Sequence, residues 1–496
     1  MRALFVNTPF VKHDSAGRTR TGPNAGSRWP WTEQGITEYA CFPFFMAYAV
    51  RYLELHGIDA DFYDAVARKH WDYQVVRRTI AAATPEIIFF ETSTPLYRTI
   101  AELATWAKEQ LGARVVLVGP HVHTFAEQLL HEPFVDHCVV GEYEQPALEI
   151  ARDPKNAKKL YTFKHLEDIN RIAGTNFTPH RPLEHLFSYW DPSMQTARVQ
   201  LQVNTSRGCP FKCTYCQWPK VMNNGTYRAR EPELVIEEIR EVVQQYRENY
   251  RSGTFRLRGT VREIAALRNG YQSLTRTIKN SRTRWKGEIG SIFFDDDTWN
   301  LGPRRVSELC RGLKDLGLPW TMMGRIDTTS LQLYDLMVEC GCVGMRFGIE
   351  SFNQRLLDNT KKRLDARVSL ENVRYLLTRY SNLEFHFTTM KNLPGESEED
   401  WRQDEILLKE LRTLGEKSGN RVHWQNSDCV AFPGTELWDE LVELGKGEKL
   451  LDFDLYDGNP SNDTDLAQSI GWLGRDYQPT WSKYSKHGQP NDLPEE

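Results

Sequence analysis

Three cysteines lie within eight positions of one another in the stretch RGCPFKCTYCQWP, at Cys209, Cys213 and Cys216. Thiolates bind zinc, but a structural zinc site needs four ligands, and its cysteines usually come as two separated pairs. Iron–sulfur cubanes are also usually held by four cysteines. Here no fourth candidate follows nearby. A compact set of three therefore indicates a cluster in which one iron is left for a ligand that the protein does not supply, and such an open position is typical of a reactive metal.

The composition narrows the class of protein. A chain of 496 residues is long enough for two or three domains. The net charge of -5 argues against a nucleic-acid-binding protein. Nine cysteines spread thinly over the chain fit a reducing cytosol better than a disulfide framework. The start lacks the layout of a signal peptide, and the longest apolar stretch is too short to span a bilayer, so we expect a cytoplasmic protein that does not span a membrane.

Short apolar runs alternate with helical patterns over the first 150 residues. This alternation predicts a parallel sheet wrapped by helices, in which ligands bind beyond the carboxyl ends of the strands. The predicted strands are residues 2–9, 59–65, 86–93, 114–121 and 136–142. Turn-forming and polar residues follow these strands, so their ends can form a crevice for a large cofactor.

A second alternating series follows residues 151–195, a polar and irregular stretch that we interpret as a linker. The predicted strands of this series are residues 198–206, 291–297, 319–325, 344–350, 384–390 and 422–430. Six strands separated by helices predict an open or full α/β barrel, which places chemistry in the loops after the strands. The three cysteines lie in the first of these loops, in agreement with a catalytic use.

Two segments interrupt this pattern. Residues 251–286 carry ten Lys or Arg but only one acidic residue, and their apolar residues recur at helical spacing. This predicts an amphipathic helix with a basic face, either a solvated surface helix or an electrostatic guide for an anionic substrate or partner. The aromatic residues of 471–490 predict a lid packed on the barrel.

The motif CPFKCTYC matches the CxxxCxxC signature of radical S-adenosylmethionine (SAM) enzymes, with the aromatic Tyr215 between the last two cysteines. The resemblance implies that the three thiolates bind a [4Fe-4S] cluster and that SAM chelates the fourth iron. One-electron reduction would then cleave SAM to a 5'-deoxyadenosyl radical. An electron donor such as flavodoxin or ferredoxin is the implied partner.

Further motifs resemble the cobalamin (B12)-binding branch of this family. They are IFFDDDTW (292–299), GRID (324–327), FGIES (347–351), LPGES (393–397) and FPGTELWDE (432–440). The resemblance implies an α/β fold with an N-terminal Rossmann-like parallel sheet of the B12-binding type, a partial (β/α)6 barrel like a TIM barrel, and a C-terminal cap. The implied boundaries are 1–150 for the cobalamin domain, 151–195 for the linker, 196–435 for the barrel with its basic insertion 251–286, and 436–496 for the cap.

The family pattern also implies a set of SAM-binding residues. Arg325 suits the carboxylate of SAM, and oxygen acceptors suit its ammonium and hydroxyl groups. Two alternatives stay open: Asp296 as a helix N-cap, and Arg325 in a salt bridge across the barrel mouth. Asn392 stands where the family usually has the glycine that permits close backbone contact with adenine. The implied residues are Tyr215, Asp296, Asp297, Arg325, Glu350, Ser351, Asn392 and Pro394.

For cobalamin, the stretch VKHDSAG departs from the Asp-x-His-x-x-Gly pattern whose histidine binds cobalt in many relatives. The resemblance therefore implies a cobalt without a protein histidine ligand. The loop 91–97 is expected against the lower corrin face, and residues 119–122 and 141–144 around the nucleotide tail. His121 has three alternatives: a cobalt ligand, a hydrogen bond to the tail, or a structural role. The implied cobalamin-binding residues are Ser93, Thr94, Leu96, Tyr97, Gly119, Pro120, His121, Val122, Gly141, Glu142 and Tyr143.

The combined resemblance implies methylation of an unactivated carbon in a small-molecule natural product. The radical would abstract a hydrogen atom, and methylcobalamin would supply the methyl group. Two alternatives remain: a cyclase or oxidase that transfers no methyl group, and an RNA-modifying enzyme. The negative net charge and the lack of a recognisable RNA-binding domain disfavour nucleic acid as a partner. No catalytic residue beyond the cluster and SAM site is identified.

Overall fold

Two six-stranded parallel sheets form the framework of the protein. The structure is a computed structural model that describes residues 1–13, 19–22, 40–191, 196–252, 288–456, 466–477 and 479. The expected basic helix therefore lies outside the described residues, except for its first two positions, and so does most of the expected aromatic lid.

The first sheet has the strand order β4-β1-β5-β6-β7-β8, and all of its neighbouring strands are parallel. Its strands are β1 (Arg2–Asn7), β4 (Asp59–Asp64), β5 (Ile87–Glu91), β6 (Arg114–Val118), β7 (His137–Val140) and β8 (Leu160–Thr162). A separate hairpin consists of β2 (Phe10–His13) and β3 (Thr19–Gly22).

Helices cover both faces of this sheet. They are α1 (Phe44–Leu55), α2 (Tyr73–Ala82), α3 (Tyr97–Trp106), α4 (Pro120–Leu129) and α5 (Glu144–Arg152). Alternate residues of β5 enter two different apolar cores: Ile87 and Phe89 face one, and Ile88 and Phe90 face the other. Burial on both faces explains why these strands are continuous apolar runs in the sequence. The predicted Rossmann-like parallel sheet is confirmed.

The segment 151–195 is more ordered than the expected linker. Its strand β8 joins the first sheet beside β7, and β9 (Arg171–Ile172) pairs with β10 (Thr175–Asn176) in a short hairpin. The expected linker thus contributes one strand to the first sheet. A strand of three residues is too short to show an alternating pattern, so the sequence did not reveal it.

The second sheet has the strand order β11-β14-β15-β16-β17-β18 and is also parallel throughout. Its strands are β11 (Gln200–Val203), β14 (Ser291–Phe294), β15 (Trp320–Gly324), β16 (Cys342–Glu350), β17 (Glu384–Lys391) and β18 (Arg421–Asp428). Sequential parallel order with intervening helices is the arrangement of a partial (β/α)6 barrel. This prediction is confirmed as well.

Nine helices accompany the second sheet and the C-terminal part of the described chain. They are α6 (Trp218–Val221), α7 (Pro232–Ser252), α8 (Pro303–Leu316), α9 (Leu331–Glu339), α10 (Gln354–Asn359), α11 (Ala366–Arg379), α12 (Glu398–Lys417), α13 (Glu436–Leu441) and α14 (Gly447–Leu450). The side chain of Ser397 caps α12 and forms a reciprocal capping box with Asp400, which fixes where this helix begins. No helix in the described ranges is long and apolar enough to cross a membrane.

A two-stranded antiparallel ribbon interrupts the barrel after its first strand. It consists of β12 (Ser206–Arg207) and β13 (Arg228–Ala229), and Arg207 faces Arg228 in the pairing. Residues 208–227, which we call the cluster loop, run between the two ribbon strands and contain the three cysteines.

Candidate active site

The cluster loop leaves the ribbon through a position that only glycine can occupy. Gly208 has φ of +81°, and a Cβ atom at this position would lie 2.0 Å from the carbonyl oxygen of Thr226 at the other end of the loop. A side chain would therefore force the two ends of the loop apart. Gly208 sets the path of the chain immediately before the first cysteine.

All three cysteine side chains of the cluster loop are half-buried and free of disulfides. The Sγ atom of Cys209 lies 3.3 Å from the Thr298 hydroxyl, and the Cys216 amide donates to the carbonyl oxygen of Cys213 over 3.1 Å. Burial raises the pKa of Cys209 to about 11 and that of Cys216 well above its usual range. The latter is raised further by the neighbouring thiols, because like charges oppose a second ionisation.

These thiols fit a cluster that draws three ligands from one loop. Thiolates bind iron, and metal binding displaces the protons that burial would otherwise retain. Among the described side chains, no group of three or more His, Cys, Asp or Glu is arranged around a single metal ion. The residues that would hold a [4Fe-4S] cluster are Cys209, Cys213 and Cys216.

Two basic side chains from the barrel lie against the cluster loop. The guanidinium carbon of Arg325 lies 3.8 Å from the ring centre of Phe211, which stands between the first two cysteines. Arg325 is already held: its Nε and Nη2 atoms donate to the Asp327 carboxylate over 3.0 and 2.8 Å. The alternative salt bridge of Arg325 is thus present, to a residue two positions further along the chain rather than across the barrel.

The second basic residue, Lys362, was not found from the sequence. Its Nζ atom donates to Glu350 Oε1 over 2.8 Å, and both side chains are buried. Burial alone would lower the pKa of Lys362, but the negative charges of Glu350 and Cys213 outweigh it and the pKa is raised. Lys362 therefore stays charged next to the cluster loop. Its position twelve residues after Glu350, beyond one short helix, is the only sequence signal that could have found it.

The two predicted aspartates have different surroundings. Asp296 is fully buried, and its Oδ1 atom accepts hydrogen bonds from the Thr205 amide (3.0 Å), the Thr205 hydroxyl (2.9 Å) and the Ser206 hydroxyl (2.5 Å). It therefore fixes the start of the ribbon, and it is not the expected alternative, a helix N-cap: Gly302 precedes the next helix, α8. Asp297 instead lines a small cavity between α1 and the cluster loop, together with Phe45 and Gly208.

The predicted adenine-binding stretch is close to the cluster loop. Tyr215 packs against the same apolar cluster as Leu393. Asn392 has φ of +60°, a left-handed conformation that glycine adopts freely and that asparagine tolerates better than most residues. This explains how asparagine can replace the usual glycine. The carbonyl oxygen of Pro394 accepts from the Asn359 side chain over 2.9 Å.

The side chain of Ser351 contacts helix α12. Its hydroxyl donates to Asp404 Oδ2 over 2.6 Å, and Asp404 belongs to α12. Ser351 is fully buried in this contact. The structure therefore brings Tyr215, Arg325 and Glu350 towards the thiols, whereas Ser351 and Asp296 hold neighbouring elements together.

The carboxyl ends of β1 and β5 are followed by small polar residues that are almost fully buried. They are Thr8, Thr92, Ser93 and Thr94. Within the described part of the chain, the Thr8 hydroxyl has no hydrogen-bond partner. The loops after β5 and β6 touch, since the His121 amide donates to the carbonyl oxygen of Thr92 over 3.1 Å. Neutral hydroxyls at such an edge fit the amide-rich rim of a corrin, and these residues would hold cobalamin.

His121 is enclosed by aromatic side chains. Its ring stacks on Tyr97 at 4.7 Å between ring centres, and it packs against Phe125 and Phe453. Its Nδ1 atom lies 3.2 Å from the Thr94 hydroxyl. Burial lowers the pKa of His121 to about 3, so the imidazole is neutral at physiological pH. These contacts favour the structural alternative for His121.

Two further predicted cobalamin residues are held by other side chains of the protein, one by the barrel and one by the first sheet. Glu142 is fully buried; it accepts hydrogen bonds from Arg228 and forms an ion pair with Arg207. Burial alone would raise the pKa of Glu142, but these arginines and the nearby His165 hold it well below its usual range. Tyr143 packs on Phe5 with 5.9 Å between ring centres. Sequence reasoning placed Glu142 in a pocket because it could not see that the arginines of the ribbon bind it.

The protein combines two possible cofactor sites. One is the polar strand edge of the parallel-sheet domain, and the other is the thiol-bearing loop of the partial barrel. Residues 203–405 match the sequence model of the radical SAM superfamily, and residues 37–151 match that of the B12 binding domain. The chain belongs to the radical SAM superfamily and is an enzyme of its cobalamin-binding branch. Its cofactors are a [4Fe-4S] cluster, SAM and cobalamin.

Several known proteins are similar to this chain. An uncharacterized methyltransferase of Pyrococcus horikoshii is 23% identical over 382 residues, which cover 74% of this chain and 72% of that protein. The anaerobic magnesium-protoporphyrin IX monomethyl ester cyclase of Rubrivivax gelatinosus is 23% identical over 389 residues, covering 73% of this chain and 58% of the cyclase. The fold resembles that of TsrM from Kitasatospora setae, a radical SAM methyltransferase, with a TM-score of 0.59 and 16% identity over 89% of this chain and 76% of TsrM.

Proposed function

We propose that the protein is a cobalamin-dependent radical SAM methyltransferase that methylates an unactivated carbon of a small-molecule natural product. The observation that carries the proposal is the position of the cluster loop directly against the B12 binding domain. A cavity between them is lined by Phe44, Phe45 and Tyr48 from α1 and by Asn204, Gly208 and Asp297 from the barrel. When bound, the cluster and SAM supply a carbon-centred radical, and cobalamin supplies the methyl group.

The residues around the cluster loop bind and orient the substrates of this reaction. The buried pair of Glu350 and Lys362 offers one acceptor and one donor of opposite charge, which suit the ammonium and the carboxylate of SAM. The backbone of the stretch 392–394 suits the edges of adenine. Trp218 and the aromatic side chains of α1 exclude water from the cavity between the domains.

The domain limits proposed for this activity are 1–150 for the cobalamin domain, 151–195 for the connection, 196–435 for the barrel and 436–496 for the cap. The matches at 37–151 and 203–405 support the first and third of these. We also propose a cytoplasmic location and a flavodoxin- or ferredoxin-type reductant. The roles of the other predicted SAM- and cobalamin-binding residues also remain proposals.

The deciding experiment is anaerobic reconstitution with iron, sulfide and hydroxocobalamin, followed by mass spectrometry of the products of SAM. Reduction with dithionite should yield both 5'-deoxyadenosine and S-adenosylhomocysteine, and trideuteromethyl-labelled SAM should yield labelled methylcobalamin. A Cys213→Ala variant treated in the same way is the control, and it should form no 5'-deoxyadenosine.

A second candidate is a cyclase or oxidase that transfers no methyl group, and the similarity to the Rubrivivax gelatinosus cyclase favours it. It predicts 5'-deoxyadenosine without S-adenosylhomocysteine. That result would contradict the proposed methyl transfer while leaving the radical chemistry in place.

A further inference from the structure

We propose that Glu142, Arg207 and Arg228 form a clamp that holds both ends of the cluster loop on the B12 binding domain and so sets the distance between cobalamin and SAM. We call these three residues the clamp. They are positioning residues, because none of them is placed on substrate or on a reacting atom. The inference rests on the proposed function, since it concerns the transfer of a methyl group between the two cofactors.

The clamp residues contact the chain at both ends of the cluster loop. Arg207 is the last residue of β12 before the cluster loop, and Arg228 is the first residue of β13 after it. The two arginines face each other in the ribbon. Glu142 directly follows Gly141 at the carboxyl end of β7 in the other domain. One carboxylate therefore holds the entry and the exit of the loop that carries all three cysteines.

The contacts are close, and those of Arg228 are directional hydrogen bonds. Arg207 Nη1 lies 3.1 Å from Glu142 Oε2, and it also lies 2.7 Å from Glu144 Oε1. Arg228 uses two nitrogens: Nη1 donates to Glu142 Oε2 over 3.2 Å, and Nη2 donates to Oε1. Nη1 of Arg228 also donates to the carbonyl oxygen of Leu166 over 2.6 Å. Such two-nitrogen contacts fix orientation as well as distance.

Burial indicates that the clamp serves geometry more than stability. The side chains of Glu142 and Arg207 are 0% and 5% exposed. Replacing a buried ion pair with apolar residues often costs no stability, because desolvation offsets the attraction between the charges. Removing one partner, however, leaves a buried charge without compensation. The clamp therefore restricts the loop to one position relative to β7.

SAM takes part in two reactions, reductive cleavage and methylation of cobalamin. We expect the clamp to affect only the second. Reductive cleavage of SAM needs the cluster and SAM alone. Methylation of cobalamin needs the cobalt near the sulfonium: the electron pair of cob(I)alamin forms the Co–C bond, the S–CH3 bond breaks, and its electrons stay on sulfur in S-adenosylhomocysteine. A displacement of about 1 Å can lower the rate of such a step by about 100-fold. Loosening the clamp should therefore reduce methylation of cobalamin and spare reductive cleavage.

A matched control is available within the barrel and the connecting segment. Glu238 of α7 is also fully buried, and it also forms ion pairs with two arginines, Arg181 and Arg230. Neither of these arginines directly flanks the cluster loop. Glu142→Gln and Glu238→Gln thus remove the same charge from the same kind of site, but only the first releases the cluster loop.

The first test uses the full chain without cofactors and measures hydrogen–deuterium exchange by mass spectrometry. In Glu142→Gln, amide exchange should rise by about tenfold or more in residues 208–227 and 141–147 and stay unchanged in the strands of both sheets. In Glu238→Gln, exchange should rise around α7 and residues 181–183 and not in the cluster loop. Unchanged exchange of the cluster loop in Glu142→Gln, or a rise spread evenly over both domains, would overturn the clamp.

The second test uses the reconstituted holoenzyme with SAM but without substrate. The reductant is either dithionite or another reagent that generates cob(I)alamin. Glu142→Gln should form 5'-deoxyadenosine within about twofold of wild type and S-adenosylhomocysteine at least about tenfold more slowly. Glu238→Gln should keep the wild-type ratio of the two products. If Glu142→Gln fails to fold, Arg228→Lys keeps the charge but loses the two-nitrogen contact, and the same change in ratio is expected. An unchanged ratio in the folded variant overturns the clamp, whereas wild type that forms no S-adenosylhomocysteine overturns the proposed function itself.

Discussion

The barrel side and the cobalamin side of the candidate site differ in how they use charge. Next to the thiols, the barrel concentrates paired charges: Arg325 with Asp327, and Lys362 with Glu350. The loops that follow β1, β5 and β6 in the first sheet instead carry buried neutral hydroxyls and the uncharged His121. SAM has a zwitterionic amino acid end, whereas a corrin presents neutral amides around its rim. Each side thus carries the polarity that its cofactor requires.

The largest expected effect concerns the thiols. Replacing Cys213 by alanine removes one of three ligands of the cluster, and the iron content after reconstitution should fall from about four atoms per chain to nearly none. Chemical analysis of iron and sulfide measures this loss. Cys310→Ala is the control, because Cys310 lies in the apolar core of the barrel and outside the cluster loop. Full iron content in Cys213→Ala would show that the cluster is not bound by these thiols.

The charged half of the comparison can be tested at Lys362. Lys362→Ala leaves Glu350 buried without its cation, and the affinity for SAM of the cluster-loaded protein should fall by about 10- to 100-fold, the usual range for a lost hydrogen bond to a charged group. Equilibrium dialysis under anaerobic conditions measures the affinity. The neighbouring Lys361 forms an ion pair with Glu436 nearer the surface. Lys361→Ala should bind SAM as wild type does, and equal losses in the two variants would refute the role of Lys362.

The third prediction concerns pH and Glu396, which follows the predicted adenine-binding stretch. Burial, with smaller contributions from the nearby Asp404 and Asp400, raises the pKa of Glu396 from 4.5 to about 8. Between these two values the folded protein binds more protons than the unfolded chain, so its stability should fall as the pH rises from about 5 to about 8.

Glu396→Gln should flatten this part of the pH profile and raise the melting temperature at pH 8 by about 2–4 °C. Thermal denaturation of wild type and variant between pH 5 and pH 9 measures the difference. Glu398→Gln removes an exposed carboxylate two residues further on and should leave the wild-type slope in place. A variant profile as steep as that of wild type would disprove the assignment to Glu396.

The smallest effect is expected on the neutral side. His121→Phe keeps the aromatic packing on Tyr97 and removes both ring nitrogens. Cobalamin should bind with an affinity within about threefold of wild type. Electron paramagnetic resonance of bound cob(II)alamin should show no imidazole nitrogen coupling in either protein. Coupling that is present in wild type and lost in His121→Phe would make His121 a cobalt ligand and end the contrast between the two sides.

Much of the fold could be predicted from periodicity. Apolar runs located every long strand of both sheets to within a few residues, because strands buried on both faces leave little freedom in the sequence. Four short features escaped: the β2–β3 hairpin, β8, the β9–β10 hairpin and the β12–β13 ribbon. Their strands have only two to four residues, too few for a clear pattern. The ribbon matters most, because it separates the cluster loop from the barrel strand before it.

Some residues of the candidate site could likewise be predicted from the sequence, and others could not. The thiols, Tyr215 and Glu350 were identified from short motifs, and the structure brings them to one region. Glu142 and Ser351 were assigned to cofactors, yet their side chains are bound by other parts of the chain. Lys362 was missed because it acts through its contact with Glu350. A motif specifies residue types and spacing, whereas the partner of a buried charge depends on which distant segment packs on it.

By itself, the sequence determined the family, the order of the two sheets along the chain and the three thiols. Each of these follows from the spacing of residues that are close together in the sequence. Only the tertiary structure decided how the two domains are joined. Glu142 and Arg228 are 86 positions apart, and they meet because the turn after β7 lies against the ribbon. A buried ion pair of this kind is stable only when folding excludes water from both partners at once, and no local pattern in a sequence can specify that.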